Sequence, residues 1–325
     1  MSLAMNAPTL GLGVDDLVDW LELVALFDEF GVARLDALLG SLAEQEPSAE
    51  DDIGRRDQER EQLIEKIEAE VTFRQRNLKD TYPFELSDAG DEITLSPTWR
   101  EEPRLAFYLV CLVATHASGS PILRAAPVGE MLRELRNKIF QVVATLGLAG
   151  HSRGPAFSVG WPRQSGERIV ELLARAVAAG GGFTVRNPPS PYVAPHEKDG
   201  GVDVIAFTLD GRPPPVAFYF GQTASGRNWE DKPVGVYVDT FIGAYMLDQR
   251  GNPIHVTLIP HRILDEARWF QMSHRHKAIL DRCRLPLQAW RGLQLANDGV
   301  PIDGADLVDD LRQWLFGYYD YAQAA

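Results

Sequence analysis

The stretch Gly200-Gly201-Val202-Asp203-Val204-Ile205-Ala206-Phe207, followed by Val216-Ala217-Phe218-Tyr219-Phe220-Gly221-Gln222, decides the reading of this chain. Both runs are rich in β-branched and aromatic residues. The segment Asp210-Gly211-Arg212-Pro213-Pro214 between them carries turn residues. They read as strands over 202–209 and 215–222 joined as a hairpin. The first carries an Asp among apolar neighbours, and the second ends on a Gln. A hairpin sets Asp203 and Gln222 near each other at one end of a sheet, and such an oxygen-bearing pair suits a hard cation such as Mg²⁺.

Upstream of the hairpin the pattern predicts a helix over 164–179, a glycine turn (Gly180-Gly181-Gly182), a strand over 183–186 and a proline-rich loop over 187–199. Downstream it predicts a helical segment within 231–247, a strand over 254–260, and helices around 264–282, 285–296 and 304–321. The order helix, strand, strand, strand, helix, strand implies one mixed sheet with helices against it, an α+β class. Residues 14–148 read as helical. Apolar residues recur at Leu17, Trp20, Leu21, Val24 and Phe27, which is helical spacing. The stretch Asp51 to Lys79 is strongly charged, with a thin stripe at Leu63, Ile64, Ile67, Val71 and Phe73, and its mixed signs read as a solvated face. The expected domains are therefore a helical, acidic one at 1–148 and an α/β one at 151–325.

At 325 residues the chain is long enough for two domains, and its 45% hydrophobic content permits a sizeable core. The net charge of −14 argues against nucleic acid at first sight. That acidity lies almost wholly before residue 151, so the C-terminal half is free to hold a basic face. Cys111 and Cys283 are the only cysteines and read as reduced core residues. The most apolar run, Leu105 to Ala114, falls short of the roughly 20 residues of a membrane span. With no signal peptide visible, the expectation is a cytoplasmic protein that does not enter a membrane.

The hairpin in this setting resembles the restriction-endonuclease-like superfamily, the PD-(D/E)xK nucleases, over residues 164–260. That family has an αβββαβ core, an Asp on the second strand, a Glu or Gln on the third, and usually a Lys two residues later; some members add an acid on the first helix. Asp203 matches the Asp and Gln222 the Glu/Gln position, while the helix over 164–179 offers Glu167 and Glu171. The segment Gly221-Gln222-Thr223-Ala224-Ser225-Gly226-Arg227-Asn228-Trp229 is similar to bacterial members with a Gly-Gln…Gly-Lys-Asn-Trp segment, many of them among phage-defence genes. It departs from the pattern at Ala224, where the Lys should stand. Arg227 or Lys232 would return a cation from the following turn, although an arginine is a poor general base. The resemblance implies a fold of an N-terminal helical domain, an αβββαβ core and C-terminal helices. It also implies Mg²⁺ (or Mn²⁺) held by Asp203, Gln222 and Glu171, with Arg227 or Lys232 offsetting charge during phosphodiester hydrolysis. The implied partner is DNA, with RNA left open, and the implied assembly is a homodimer or a subunit of a defence complex.

A basic stretch fits this expectation. Residues 261–291 carry a net +4, and Arg268, Arg275, Lys277, Arg282 and Arg284 are candidates to track a phosphate backbone. Ordinary surface helices with internal ion pairs, such as Asp281 with Arg284, explain the same residues. His274-Arg275-His276-Lys277 does not read as a zinc site, because residues two apart do not share a helix face. Three functions remain: a metal-dependent nuclease acting on DNA, a degenerate nuclease fold that binds nucleic acid or scaffolds a complex, and an interaction module working through the acidic N-terminal helices.

Overall fold

The computed structural model describes residues 4–45, 53–160, 166–193 and 199–324. Residues 51–52 of the expected charged helix, 164–165 of the helix before the glycine turn, and 194–198 of the proline-rich loop lie outside them. The protein is a mixed α+β chain that divides into two compact units, Met1–Met131 with Arg312–Ala325, and Leu132–Leu311. This differs from the expected division near 150, since residues 132–150 belong with the second unit.

The first unit contains α1 (Val14–Phe27), β1 (Val32–Arg34), α2 (Leu35–Ala43), α3 (Ile53–Leu78), β2 (Phe84–Leu86), β3 (Glu92–Leu95) and α4 (Pro103–His116). Short strands stand where only helix was expected: β3 pairs antiparallel with both β1 and β2. Three- and four-residue strands are too brief for an alternating pattern to register. The helix α4 opens on Pro103, whose missing N–H is harmless in a first turn, and is buried along nearly its whole length.

The charged helix α3 is not solvated all round. Arg74 is fully buried and donates to Glu70 (2.9 Å), Asp19 (2.7 Å), Glu22 (2.9 Å) and the Tyr108 hydroxyl (3.2 Å). Tyr82 and Tyr108 donate their hydroxyls to Glu22 at 2.6 and 2.7 Å. Residues 67, 70, 71, 74 and 78 share one helical face, so this charged pair is part of the buried stripe that the apolar residues mark.

The second unit runs through α5 (Gly129–Glu134), which begins in the first unit, α6 (Phe140–Ser152), β4 (Ala156–Ser158), α7 (Ile169–Ala178), β5 (Thr184–Val185), β6 (Val204–Phe207) and β7 (Ala217–Thr223). It continues with α8 (Gly235–Tyr245), β8 (Met246–Leu247), β9 (Asn252–Leu258), α9 (Glu266–His276), β10 (Ala278–Leu280) and α10 (Leu285–Asn297). A final helix, α11 (Val308–Ala324), returns to the first unit. The main sheet has five strands in the order β10-β9-β7-β6-β4. β4 and β7 run antiparallel to β6, whereas β9 is parallel to β7 and β10 to β9.

The expected hairpin is present as β6 and β7. Ile205, Phe207, Phe218 and Phe220 fill one face of the sheet, packed with Leu172 and Leu173 of α7 and Val238 and Phe241 of α8. The other face meets α6, since a side chain on Gly221 would touch Leu148 and Val204. α6 and α10 cross at glycines: a Cβ on Gly150 would lie 2.0 Å from the Gln288 carbonyl, and one on Gly292 2.0 Å from that of Leu146.

Two expectations need correction. The strand predicted at 183–186 is β5, which pairs with β8 in a separate two-stranded ladder. The strand beside β6 in the main sheet is instead β4, and the helix preceding it is α6, not the one over 164–179. The helix predicted over 264–282 stops at His276: Lys277 takes φ +67°, and the chain leaves as strand β10. Among the described residues no helix is long and apolar enough to cross a membrane. Cys111 and Cys283 are buried thiols outside any disulfide.

Candidate functional site

Asp203 is the residue just before β6. Its N–H donates at 2.9 Å to the carbonyl of Gly221, the residue already opposite Val204, so Asp203 lies just outside the regular ladder and beside the Gln222 end of β7. Its backbone carbonyl accepts from Val159 and Gly160 N–H (2.8 and 3.1 Å) and from the Gln141 side chain of α6 (3.2 Å). Strand, neighbouring loop and helix thus fix the residue from three directions. In the side chain, Oδ2 accepts the Thr223 N–H at 2.8 Å and the Gln222 amide N–H. The carboxylate can only accept, so Gln222 turns its nitrogen toward it and keeps its own oxygen available.

Burial pushes the Asp203 carboxyl up to about 7, and the nearby charge of Asp199 adds to the rise. The Thr223 N–H, the Lys232 charge and the Gln222 hydrogen bond pull the other way. Lys232 therefore acts on the carboxylate, while Arg227 sits exposed in the turn before it. Ala224, at the position of the missing Lys, is buried in an apolar cluster with Trp229, Ile259, Ile263, Met272 and Ile279. A lysine there would bury its ammonium among hydrocarbon, so any cation must come from elsewhere.

The segment before Lys232 is anchored from α9. Trp229 enters the cluster around Ala224 and lies against the His276 ring, with centroids 5.2 Å apart. His276 Nε2 lies 3.1 Å from Glu230 O and Nδ1 2.9 Å from Thr257 Oγ1. A carbonyl only accepts, so Nε2 carries the proton and Nδ1 takes the hydroxyl of Thr257, the register partner of Gln222. Burial holds His276 below the usual histidine range. Protonation would reverse the Thr257 bond and place a charge in a buried site. In acid the unfolded chain takes up the proton first, so stability should fall as pH drops below about 6.5. His276→Ala should cost about 1–3 kcal/mol at pH 7.5 and reduce the loss of stability between pH 7.5 and 5.5. Urea unfolding at the two pH values measures both, and an unchanged pH dependence would reject this role.

Several expected residues lie elsewhere. Glu171 caps α7: one oxygen accepts the Arg168 N–H at 2.9 Å and the other its guanidinium at 2.9 Å. Both oxygens are committed, and α7 is not the helix that precedes the sheet's first strand, so nothing brings Glu171 to Asp203. Glu167 forms a two-pronged pair with Arg175 (2.7 and 3.0 Å).

Of the basic residues, Arg282 is fully buried and presents no charge to a phosphate backbone in this fold. Arg268 is paired with Glu230, and Arg275 lies 3.6 Å from Asp231. Arg284 is bonded to Asp281 (2.9 Å) and stacked on Trp269, its guanidinium 4.2 Å from the ring centroid. Lys277 is exposed.

Compared with family models, with curated proteins and with solved structures, the chain matches none. The site must be judged on its own geometry.

Two other constellations compete with it. Gly150-His151-Ser152-Arg153-Gly154 has the Gly-x-Ser-x-Gly spacing of a serine hydrolase. A nucleophile of that kind stands exposed on a strand-to-helix turn. Ser152 is instead buried in the last turn of α6, with its hydroxyl donated to Ala149 O at 3.1 Å.

Among the described residues, Asp16, Asp19 and His116 bring ligand atoms within 4.8 Å of one another. There, His116 Nε2 already lies 2.8 Å from Asp19 Oδ2, and the Arg74 guanidinium 2.7 Å from Oδ1. Ser120 Oγ, which accepts two backbone N–H groups, meets His116 Nδ1 at 2.9 Å. A fixed guanidinium beside Asp19 repels a metal ion, so this group reads as structure.

Proposed function

We propose that the second unit is a metal-dependent nuclease of the restriction-endonuclease-like kind, acting on DNA phosphodiesters. The observation that carries this reading is the pairing of Asp203 with Gln222 in the sheet run β4-β6-β7-β9, with α6 before β4 and α8 between β7 and β9. With α7, β5 and β8 set aside as insertions, this order is similar to the helix–strand–strand–strand–helix–strand order of the superfamily, with two antiparallel pairs and one parallel one. The pair lies at the carboxyl end of β7, and in open sheets with parallel strands ligands gather at such ends.

The residues fit a hard cation. The donors are all oxygens, and Asp203 Oδ1 receives none of the hydrogen bonds that occupy Oδ2. A bound Mg²⁺ or Mn²⁺ would supply Lewis-acid activation of water and neutralise phosphate charge. Asp203 would hold the ion through Oδ1, while Gln222 and the Thr223 N–H orient the carboxylate. Lys232, carried on its anchored turn, offsets charge on the phosphate.

Cleavage of supercoiled, linear and single-stranded DNA with Mg²⁺ or Mn²⁺ tests this. Asp203→Ala should lower the rate at least ~10²-fold, the scale for losing a charge-stabilising group. Cleavage that survives the substitution would overturn the assignment. The buried Ala224 favours one other reading, a degenerate fold that binds nucleic acid without cutting it. That reading predicts salt-dependent binding and no cleavage with either metal. A role in defence, in a homodimer or in a larger complex, rests on the sequence resemblance.

A further inference from the structure

The proposed site depends on where Asp203 is held and on what its uncommitted oxygen faces. Its backbone carbonyl receives two successive N–H groups, from Val159 at 2.8 Å and Gly160 at 3.1 Å. Two neighbouring donors on one carbonyl form the pattern of a β-bulge, which bends its strand and re-aims the groups beside it. Gln141 of α6 closes the arrangement. Its buried side-chain Nε2 donates to Asp203 O at 3.2 Å and to Ser158 Oγ at 3.1 Å. Ser158 is fixed in turn through its N–H, which donates to Asp303 Oδ2 at 3.0 Å. One amide thus ties the end of β4 to the residue before β6 from the helix side.

The bulge also brings Gly160 against the carboxylate. A Cβ on Gly160 would lie 3.3 Å from Asp203 Oδ1, the first atom it would meet. Oδ1 accepts no hydrogen bond among the described residues, since Thr223 and Gln222 both donate to Oδ2. The backbone does not demand a glycine here, because Gly160 takes no positive φ. A methyl group would need its neighbour to give by only a few tenths of an ångström. What the missing side chain leaves is room beside the one uncommitted carboxylate oxygen.

We infer that Gln141 and Gly160 prepare Asp203 for its cation. Gln141 is a positioning residue that fixes the carboxylate through its own backbone, and Gly160 keeps Oδ1 uncovered. This rests on the function proposed above and adds two residues to it, neither of them a ligand. Groups behind a metal ligand are worth about 10–100-fold in affinity.

The test uses Mn²⁺ alone, without nucleic acid, titrated into the full chain and followed by the electron paramagnetic resonance of the free ion. Gln141→Met fills the space of the amide without its donors, and Gln141→Asn repeats the test with a smaller change, its amide one carbon short. Gly160→Ala adds the methyl group, and Asp203→Asn controls for the site. Thermal unfolding in EDTA reports on each fold. Wild type should bind Mn²⁺ and Asp203→Asn should lose it. The Gln141 and Gly160 variants should weaken binding at least ~10-fold, the low end of that range. Their metal-free stabilities should nevertheless diverge. Gln141→Met should lower the transition, because buried hydrogen bonds are lost. Gly160→Ala should hold or raise it, since alanine leaves the unfolded chain fewer conformations. A purely structural role would not weaken binding in a fold that has kept its stability.

Wild-type affinity in Gly160→Ala would overturn the role of Gly160, and wild-type affinity in the Gln141 variants that of Gln141. Loss in Asp203→Asn would in either case leave the proposed site standing. Failure of wild type to bind Mn²⁺, or undiminished binding by Asp203→Asn, would overturn the inference and the site together.

Discussion

Asp203→Asn is expected to stabilise the protein at pH 8 in the presence of a chelator, while removing metal-dependent cleavage. The carboxyl sits at about 7 in the fold against 3.8 in a free chain, chiefly because it is buried. Between these values the folded state keeps a proton that the unfolded chain has released. Stability therefore declines as pH rises through this window, and the cost is complete above pH 7. Three units correspond to about 4 kcal/mol, and the partial solvent access of the side chain brings the expected gain to about 2–4 kcal/mol. Asparagine carries no charge to bury. Its oxygen accepts the Thr223 N–H, and a rotated Gln222 amide accepts from its nitrogen. The difference between variant and wild type should be small at pH 4 and grow to its full size by pH 8. Thermal or urea unfolding in EDTA at pH 4, 6 and 8 reads it. A variant less stable than wild type at pH 8 would mean that the Thr223 and Gln222 donors outweigh burial. Added Mn²⁺ should raise the wild-type transition, by mass action on the folded state, and leave the variant unchanged. A site that lowers the stability of its own metal-free fold is what a binding function, not packing, would maintain.

The hairpin was legible because two apolar runs of the right length flanked a turn, and because Asp203 and Gln222 interrupted them at matching ends. β9 was legible for the same reason, and α7 through its buried face of Ile169, Val170, Leu172 and Leu173. The strand that completes the sheet was not. Ala156-Phe157-Ser158 is three residues long and buried throughout, so it shows no alternation. Mistaking β5 for that strand placed the leading helix one element too late and pointed to Glu171.

The end of α9 was hidden as well, since Lys277 adopts a positive φ without a Gly or Pro to announce it. No sequence pattern could show that Ala224 faces an apolar cluster or that Arg282 is buried, because both depend on where α9 and the following loop come to rest.

Arg74→Met is expected to be the most destabilising single substitution in the first unit. Three carboxylates, Asp19, Glu22 and Glu70, converge on one guanidinium, and all four side chains are almost wholly withdrawn from water. Burial by itself would favour a neutral Arg74, yet Glu22, Tyr108, Asp19 and Glu70 outweigh it and hold the group more firmly charged than a free arginine. Methionine fills similar space but leaves the carboxylates without a counter-charge. Breaking a buried pair from one side costs roughly 3–5 kcal/mol, enough to unfold a marginal unit. The stranded acids would recover by taking up protons, so the loss should be greater at pH 8 than at pH 5. Arg74→Lys should fall between, because one ammonium cannot reproduce the fork that reaches Asp19, Glu22 and Glu70 together. Combining Arg74→Met with Glu22→Gln and Glu70→Gln should return part of the stability, since the charges that need the arginine are then gone. Urea unfolding of the four proteins at the two pH values decides the matter. Arg74→Met with near wild-type stability at pH 8 would show that the carboxylates are neutral or solvated, and that the network is not what joins α1 to α3.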